Sequence, residues 1–220
     1  PERVFNFGDI GVDTVLHMDF LSKEKLQNEL CINLMRPYAM VTFHPVTMEK
    51  DSVNQLKSLL SAIEEENELI YVFTKANADT NGRIVNELID KYVAQNSERA
   101  CAFMSLGQKR YLSALKYCRI VIGNSSSGII EAPSFGKPII NIGDRQKGRI
   151  CADSVINCGY TQQEIQQAME TALTKEFENK ASNCRNPYEK ENTAANIISV
   201  IKDYLLNDKI KLKKGFYDIK

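Results

Sequence analysis

An apolar run at residues 119–122 stops at Gly-Asn-Ser-Ser-Ser-Gly (123–128), and Gly-Lys-Pro (136–138) leads into a second run, Ile-Ile-Asn-Ile (139–142). That order calls for a strand, a tight turn, a helix and another strand. The small residues of the turn let backbone N–H groups and hydroxyls close on a ligand where the helix begins. The first N–H groups of a helix lack partners within it and carry the positive end of its dipole, so this turn suits a phosphate. Glu131 follows Ser125 by about two helical turns and is placed to reach a ribose hydroxyl beside that phosphate. Spacing alone leaves a Ser-capped helix without a ligand equally open, because the segment is neither a P-loop nor G-x-G-x-x-G.

The same alternation runs along the chain. Apolar runs at 4–7, 39–43, 69–73, 100–103, 119–122, 138–142 and 154–157 predict strands. Helical patterns fall at 23–29, 53–65, 82–94, 109–117, 129–135, 162–173 and 193–206. The runs are short and continuously apolar, as strands covered on both faces are. Val53, Leu56, Leu59, Leu60 and Ile63 mark one helix face, and Ala194, Ile197, Ile198, Ile201 and Leu205 another. The expected fold is α/β, a parallel sheet between two helical layers, as one domain over residues 1–206. The Lys-rich segment 207–220 is expected to be a flexible tail.

Ligands of such sheets bind beyond the carboxyl ends of the strands, and four of those junctions carry chemistry. They are His44-Pro-Val-Thr47, Thr74-Lys-Ala-Asn-Ala-Asp79, the serine turn, and Gly143-Asp-Arg-Gln-Lys-Gly-Arg149. His44 is either structural or a donor beside a diphosphate. Arg145 and Arg149 are either solvated or anion-binding. Asn77 is either a turn residue or a partner for a base or sugar. Asp9 and Asp13 read as turn and cap residues, and His17 as structural.

Composition narrows the function. The 28 basic residues balance 28 acidic ones, which speaks against a dispersed nucleic-acid footprint. No apolar run approaches a membrane span, and Pro1-Glu-Arg-Val is no signal peptide. Two histidines and six cysteines without a Cys-x-x-Cys pair argue against a zinc cage. Free thiols, with Cys101 and Cys118 buried, fit a reducing cytoplasm.

Five elements in order resemble the UDP-N-acetylglucosamine 2-epimerase family: Gly-Asp-Ile-Gly-Val-Asp (8–13), His-Pro-Val-Thr (44–47), Gly-Asn-Ser-Ser-Ser-Gly (123–128), Glu-Ala-Pro-Ser-Phe-Gly-Lys-Pro-Ile-Ile-Asn (131–141) and Arg-Gln-Lys-Gly-Arg (145–149). The likeness runs from about Val4 to about Leu206, and it is to the family's carboxyl-terminal domain. It implies a three-layer, Rossmann-like sheet forming the carboxyl-terminal half of a GT-B-like fold. It also implies an amino-terminal domain upstream of Pro1, toward which the helix at 193–206 packs, and a homo-oligomeric full-length enzyme. His-Pro-Val-Thr and Asn-Ser-Ser-Ser resemble the hydrolysing members of sialic-acid and related nonulosonate synthesis. Non-hydrolysing members usually carry His-Arg-Arg-Glu-Asn and Asp-Ser-Gly-Gly at those places.

Carried over by position, the resemblance implies that Ser125 and Ser126 hold the diphosphate of UDP and Glu131 the ribose hydroxyls. His44 would contact phosphate and serve catalysis, and Arg145 would lie near the diphosphate. Asn77 and the backbone around Met104 would line the nucleoside pocket. The implied chemistry eliminates UDP from UDP-N-acetylglucosamine and adds water, giving N-acetylmannosamine without metal or cofactor. The family's acidic catalytic residues belong to its amino-terminal domain, so this chain alone is expected to bind UDP weakly and not turn over. Two other readings share the sheet and the phosphate turn: half of a GT-B glycosyltransferase, and a non-catalytic UDP-sugar-binding domain.

Overall fold

Six strands form one all-parallel sheet in the order β3-β2-β1-β4-β5-β6. The strands are β1 (Tyr38–Thr42), β2 (Ile70–Thr74), β3 (Ala100–Phe103), β4 (Ile120–Gly123), β5 (Ile139–Ile142) and β6 (Val155–Cys158). The helices are α1 (Ile10–His17), α2 (Lys23–Leu30), α3 (Ser52–Glu64), α4 (Thr80–Gln95), α5 (Gly107–Tyr117), α6 (Ser126–Ile130), α7 (Gln162–Ala172), α8 (Lys175–Ser182) and α9 (Thr193–Leu206). This computed structural model describes residues 3–46, 51–76, 80–207 and 209.

The central strands are buried along their length because helices cover both faces. On one face Leu56, Leu59 and Ile63 of α3 pack with α4 and α7 against Val41, Phe73 and Ile122. On the other, Leu26 and Leu30 of α2 and Leu112 and Leu115 of α5 pack against Met40, Val72 and Val121. Burying each such side chain contributes roughly 1.5–3 kcal/mol. Tyr38 spans β1 and α5, its hydroxyl donating to the Ala114 carbonyl at 2.6 Å.

From β1 the chain winds outward to β2 and β3, then returns to lay β4 on the other side of β1 and continues to β5 and β6. The loops after β1 and β4 therefore leave in opposite directions. A crevice opens between them at this reversal of strand order.

The expected α/β fold is present, with four differences of detail. Residues 4–7 form no strand; Phe5 stacks on Phe7 at 5.7 Å and meets the edge of Tyr204 at 6.5 Å. Residues 10–17, to which no element was assigned, form α1; Asp9, read with Asp13 as a turn or cap residue, is its N-cap, accepting from the N–H of Gly11 at 2.7 Å. The helix expected at 129–135 is split: α6 ends at Ile130, and a 3-10 turn, Ala132–Phe135, follows. Pro133 explains the split, because it has no N–H for an α-helical bond. Helix α8 was not expected; the Thr174 hydroxyl caps it, accepting from the N–H of Phe177 at 3.2 Å.

The two ends of the described chain are joined. The Asp9 N–H donates to the Tyr188 carbonyl at 3.0 Å, and the Thr193 hydroxyl to the Phe7 carbonyl at 2.5 Å. Helix α9 keeps Ile198, Ile201 and Leu205 half or more exposed. Of the tail, only Asn207 and Lys209 lie among the described residues, both bonded to Asp203.

Candidate functional site

At the switch point Gly123 ends β4 opposite Thr42 of β1. Its φ is +140°, and a Cβ there would lie 1.9 Å from the Thr42 carbonyl oxygen. Only glycine fits so close an approach of two backbones. Asn124 follows, fully buried, and its N–H donates to the Thr42 carbonyl at 3.1 Å. Its side chain accepts from the His44 N–H at 2.7 Å and donates to the His44 carbonyl at 2.8 Å. Its own carbonyl accepts from the Arg145 guanidinium at 2.9 Å and from the buried Gln146 amide at 2.8 Å. One buried asparagine thus fixes the loops after β1, β4 and β5 to one another.

The loop after β5 is braced from below. Gly143, with φ +72°, lies under the Tyr160 ring, where a Cβ would meet ring atoms at 2.0 Å. The Tyr160 hydroxyl donates to the Asp144 carboxylate at 2.9 Å. Arg145 is thereby aimed back across the crevice. Burial, and then the like charge of Arg149, lower its pKa. A guanidinium stays cationic under ordinary conditions, so it presents positive charge beside the serine turn.

Ser125 is the N-cap of α6, its hydroxyl accepting from the Ser127 N–H at 3.4 Å. Ser126 is the first residue of the helix. Glu131 stands where α6 gives way to the 3-10 turn, with its carboxylate against α1. A Cβ on Gly11 would lie 3.0 Å from Glu131 Oε1. Burial raises the Glu131 carboxyl above its ordinary range; a hydrogen bond from Ser127 opposes the rise, and the charge of Asp9 adds to it.

His44, Ser125, Ser126 and Arg145 are therefore gathered at the switch point, with Glu131 at the far end of α6. Met104 lies just beyond β3, 65% exposed. Strands β3 and β4 are three places apart in the sheet, or about 14 Å at the usual strand spacing, so Met104 stands well apart from the serine turn along the same sheet edge. Asn77 and Thr47 lie outside the described residues. Sequence reasoning did not find Asn124, Gln146 or Gly11. Asn124 had a signal, since an amide at the end of a buried strand needs partners for both donor and acceptor.

The sequence pattern of the family described as UDP-N-acetylglucosamine 2-epimerase matches residues 1–202. The chain belongs to that family. Within the UDP-N-acetylglucosamine 2-epimerase family it is 40% identical over 177 residues to the GDP/UDP-N,N'-diacetylbacillosamine 2-epimerase (hydrolyzing) of Campylobacter jejuni, covering 80% of this chain and 46% of that protein. It is 37% identical over 221 residues to polysialic acid biosynthesis protein P7 of Escherichia coli, covering 100% of this chain and 56% of that protein. The chain spans about half the length of these curated relatives. Among solved structures, the Methanocaldococcus jannaschii UDP-GlcNAc 2-epimerase in complex with UDP-GlcNAc and UDP superposes with a TM-score of 0.70 at 18% identity, covering 91% of this chain and 55% of that one. That likeness establishes the fold. Among the described residues of this epimerase-family chain, no helix is long and apolar enough to cross a membrane.

Proposed function

We propose that the chain is the UDP-binding half of a hydrolysing UDP-N-acetylglucosamine 2-epimerase, which converts UDP-N-acetylglucosamine and water to N-acetylmannosamine and UDP. Loss of the C2 proton and departure of UDP from C1 leave a 2-acetamidoglucal. Water then adds across the double bond with inverted configuration at C2.

This chain's residues act on the leaving group. Negative charge grows on the oxygen bridging C1 and the diphosphate as that bond breaks. Arg145 and His44 face this charge, while Ser125, Ser126 and the N–H groups at the start of α6 hold the phosphates. Fixed donors aimed at developing charge are worth roughly 3 kcal/mol each. Glu131 takes the ribose hydroxyls, and Asn77 and the backbone at Met104 flank the base. Acidic groups of a further, amino-terminal domain handle the C2 proton, and the whole enzyme works in the cytoplasm as a homo-oligomer.

The observation that carries this reading is the Asn124 clasp, which holds the His44, Ser125 and Arg145 loops together at the switch point. Calorimetric titration with UDP tests it. Saturable binding weakened by both Ser125→Ala and Glu131→Ala is expected, and no binding up to millimolar UDP would count against the assignment. The name of the Campylobacter jejuni relative favours a second reading of the sugar, with an additional acetamido group. Assaying release of UDP from each nucleotide sugar by the full-length enzyme separates the two.

A further inference from the structure

Glu131 is connected to the strand ends by hydroxyl groups. The Tyr111 hydroxyl lies 2.9 Å from Ser127 Oγ, and Ser127 hydrogen-bonds the Glu131 carboxylate. Behind Tyr111 stands Thr42, which also bonds to its hydroxyl, and Thr42 in turn meets Thr74. An ionised carboxylate only accepts hydrogen bonds, whereas each hydroxyl has a single proton to donate. Glu131 therefore dictates the direction of the whole row: Ser127 donates to Glu131, so Tyr111 must donate to Ser127, and Thr42 to Tyr111.

Two features keep this row in place. Burial pushes the Tyr111 hydroxyl up to about 12, so it remains a donor at neutral pH. The space between Thr42, Tyr111, Gly123 and Ser125 is a cavity of about 10 Å³, at the limit of what one water needs. That space has room for about one water beside Thr42 and Tyr111.

We propose that Tyr111 is a positioning residue, which through Ser127 orients the Glu131 carboxylate toward the ribose hydroxyls of a nucleoside diphosphate. This rests on the reading of Glu131 as the ribose contact. Oε1 lies beside Gly11 of α1 and Ser127 engages the carboxylate from α6, so the group is held between the two helices. Without the Tyr111 proton, Ser127 is free to turn, and Glu131 loses its fixed orientation.

The test is calorimetric titration with UDP and with 2',3'-dideoxyuridine diphosphate, on the wild type, Tyr111→Phe, Ser127→Ala and Ser127→Thr. The wild type should prefer UDP by about tenfold or more, the scale of a hydrogen bond to a charged group. Tyr111→Phe and Ser127→Ala should lose about three- to tenfold in UDP affinity while binding the dideoxy nucleotide unchanged. Ser127→Thr keeps the hydroxyl and should keep the preference. Equal losses for both nucleotides, or an undiminished preference in Tyr111→Phe, would overturn the proposal, since the first is what a merely structural tyrosine gives. If the wild type itself fails to distinguish the two nucleotides, the ribose assignment of Glu131 falls, and this proposal with it.

Discussion

The Asn124 side chain and the His44 backbone form a closed ring of two hydrogen bonds, one accepted at 2.7 Å and one donated at 2.8 Å. An amide has the acceptor and the donor that this ring needs, and a carboxylate has no donor. Asn124→Asp leaves the His44 carbonyl facing a buried acceptor. The variant should lose about 1–3 kcal/mol of stability, read as a lower urea midpoint. UDP affinity should fall with it, because the three loops no longer share an anchor.

Gly123 and Gly148 both have positive φ, but their surroundings differ. Alanine at 123 drives its Cβ into the Thr42 carbonyl at 1.9 Å, whereas nothing lies within 4 Å of a Cβ at 148. Gly148→Ala should cost only backbone strain, about 1–2 kcal/mol. Gly123→Ala should cost well above about 3 kcal/mol by forcing β1 and β4 apart. Urea unfolding of the two variants side by side checks the contrast.

Glu131 should reveal itself through pH. Its carboxyl pKa is raised in the folded protein, chiefly by burial. The folded state thus holds this proton more tightly than the unfolded chain does. The resulting stabilisation is complete below the unfolded pKa and disappears as pH rises through the higher folded value. Above the raised value the ionised group opposes folding, so Glu131→Gln should raise Tm there and give no gain well below the ordinary carboxylate range. The same substitution should weaken UDP binding. Wild-type affinity for UDP should decline as pH falls through the raised pKa, at a higher pH than an unperturbed carboxylate would show.

The thiols should differ in reactivity. Burial pushes Cys101, Cys118 and Cys158 up to about 12, while Cys31 is exposed. Thiolate is the reacting species. A disulfide reagent at pH 8 should label Cys31 quickly in the native protein and reach Cys118 only on unfolding, as peptide mapping would show. Cys118 is as buried as its apolar context suggested, but Cys101 is only half-buried.

The sheet was legible because its strands are continuous apolar runs. For the six that form, the expected limits lie within one residue of those found, and the junctions beyond β1, β4 and β5 do meet at the crevice. The false strand at 4–7 has the right residues but no neighbouring strand; its aromatic rings serve the contact with Tyr204 instead. Helix α1 was hidden by its start, Gly-Asp-Ile-Gly-Val-Asp, whose glycines blur the helical pattern, although the reading of its aspartates as turn and cap residues holds for Asp9. The Asn124 clasp and the Tyr111 row were illegible for a different reason. Each depends on residues distant in sequence whose meeting is decided by strand order, as with Asn124 and His44, which are 80 positions apart.

The joined ends of the described chain have a consequence for the acid at the other side of α1. Helix α1 lies against Glu131 with Gly11 and is tied by Asp9 and Phe7 to the segment that carries α9. A segment held by a few hydrogen bonds opens more readily than a central sheet. Each such opening lets water reach the Glu131 carboxyl and removes the burial that holds its proton. This joint therefore acts as a proton valve: near the raised pKa of Glu131, where part of the population holds the proton, loosening the joint by mild warming should release it while the sheet is still intact.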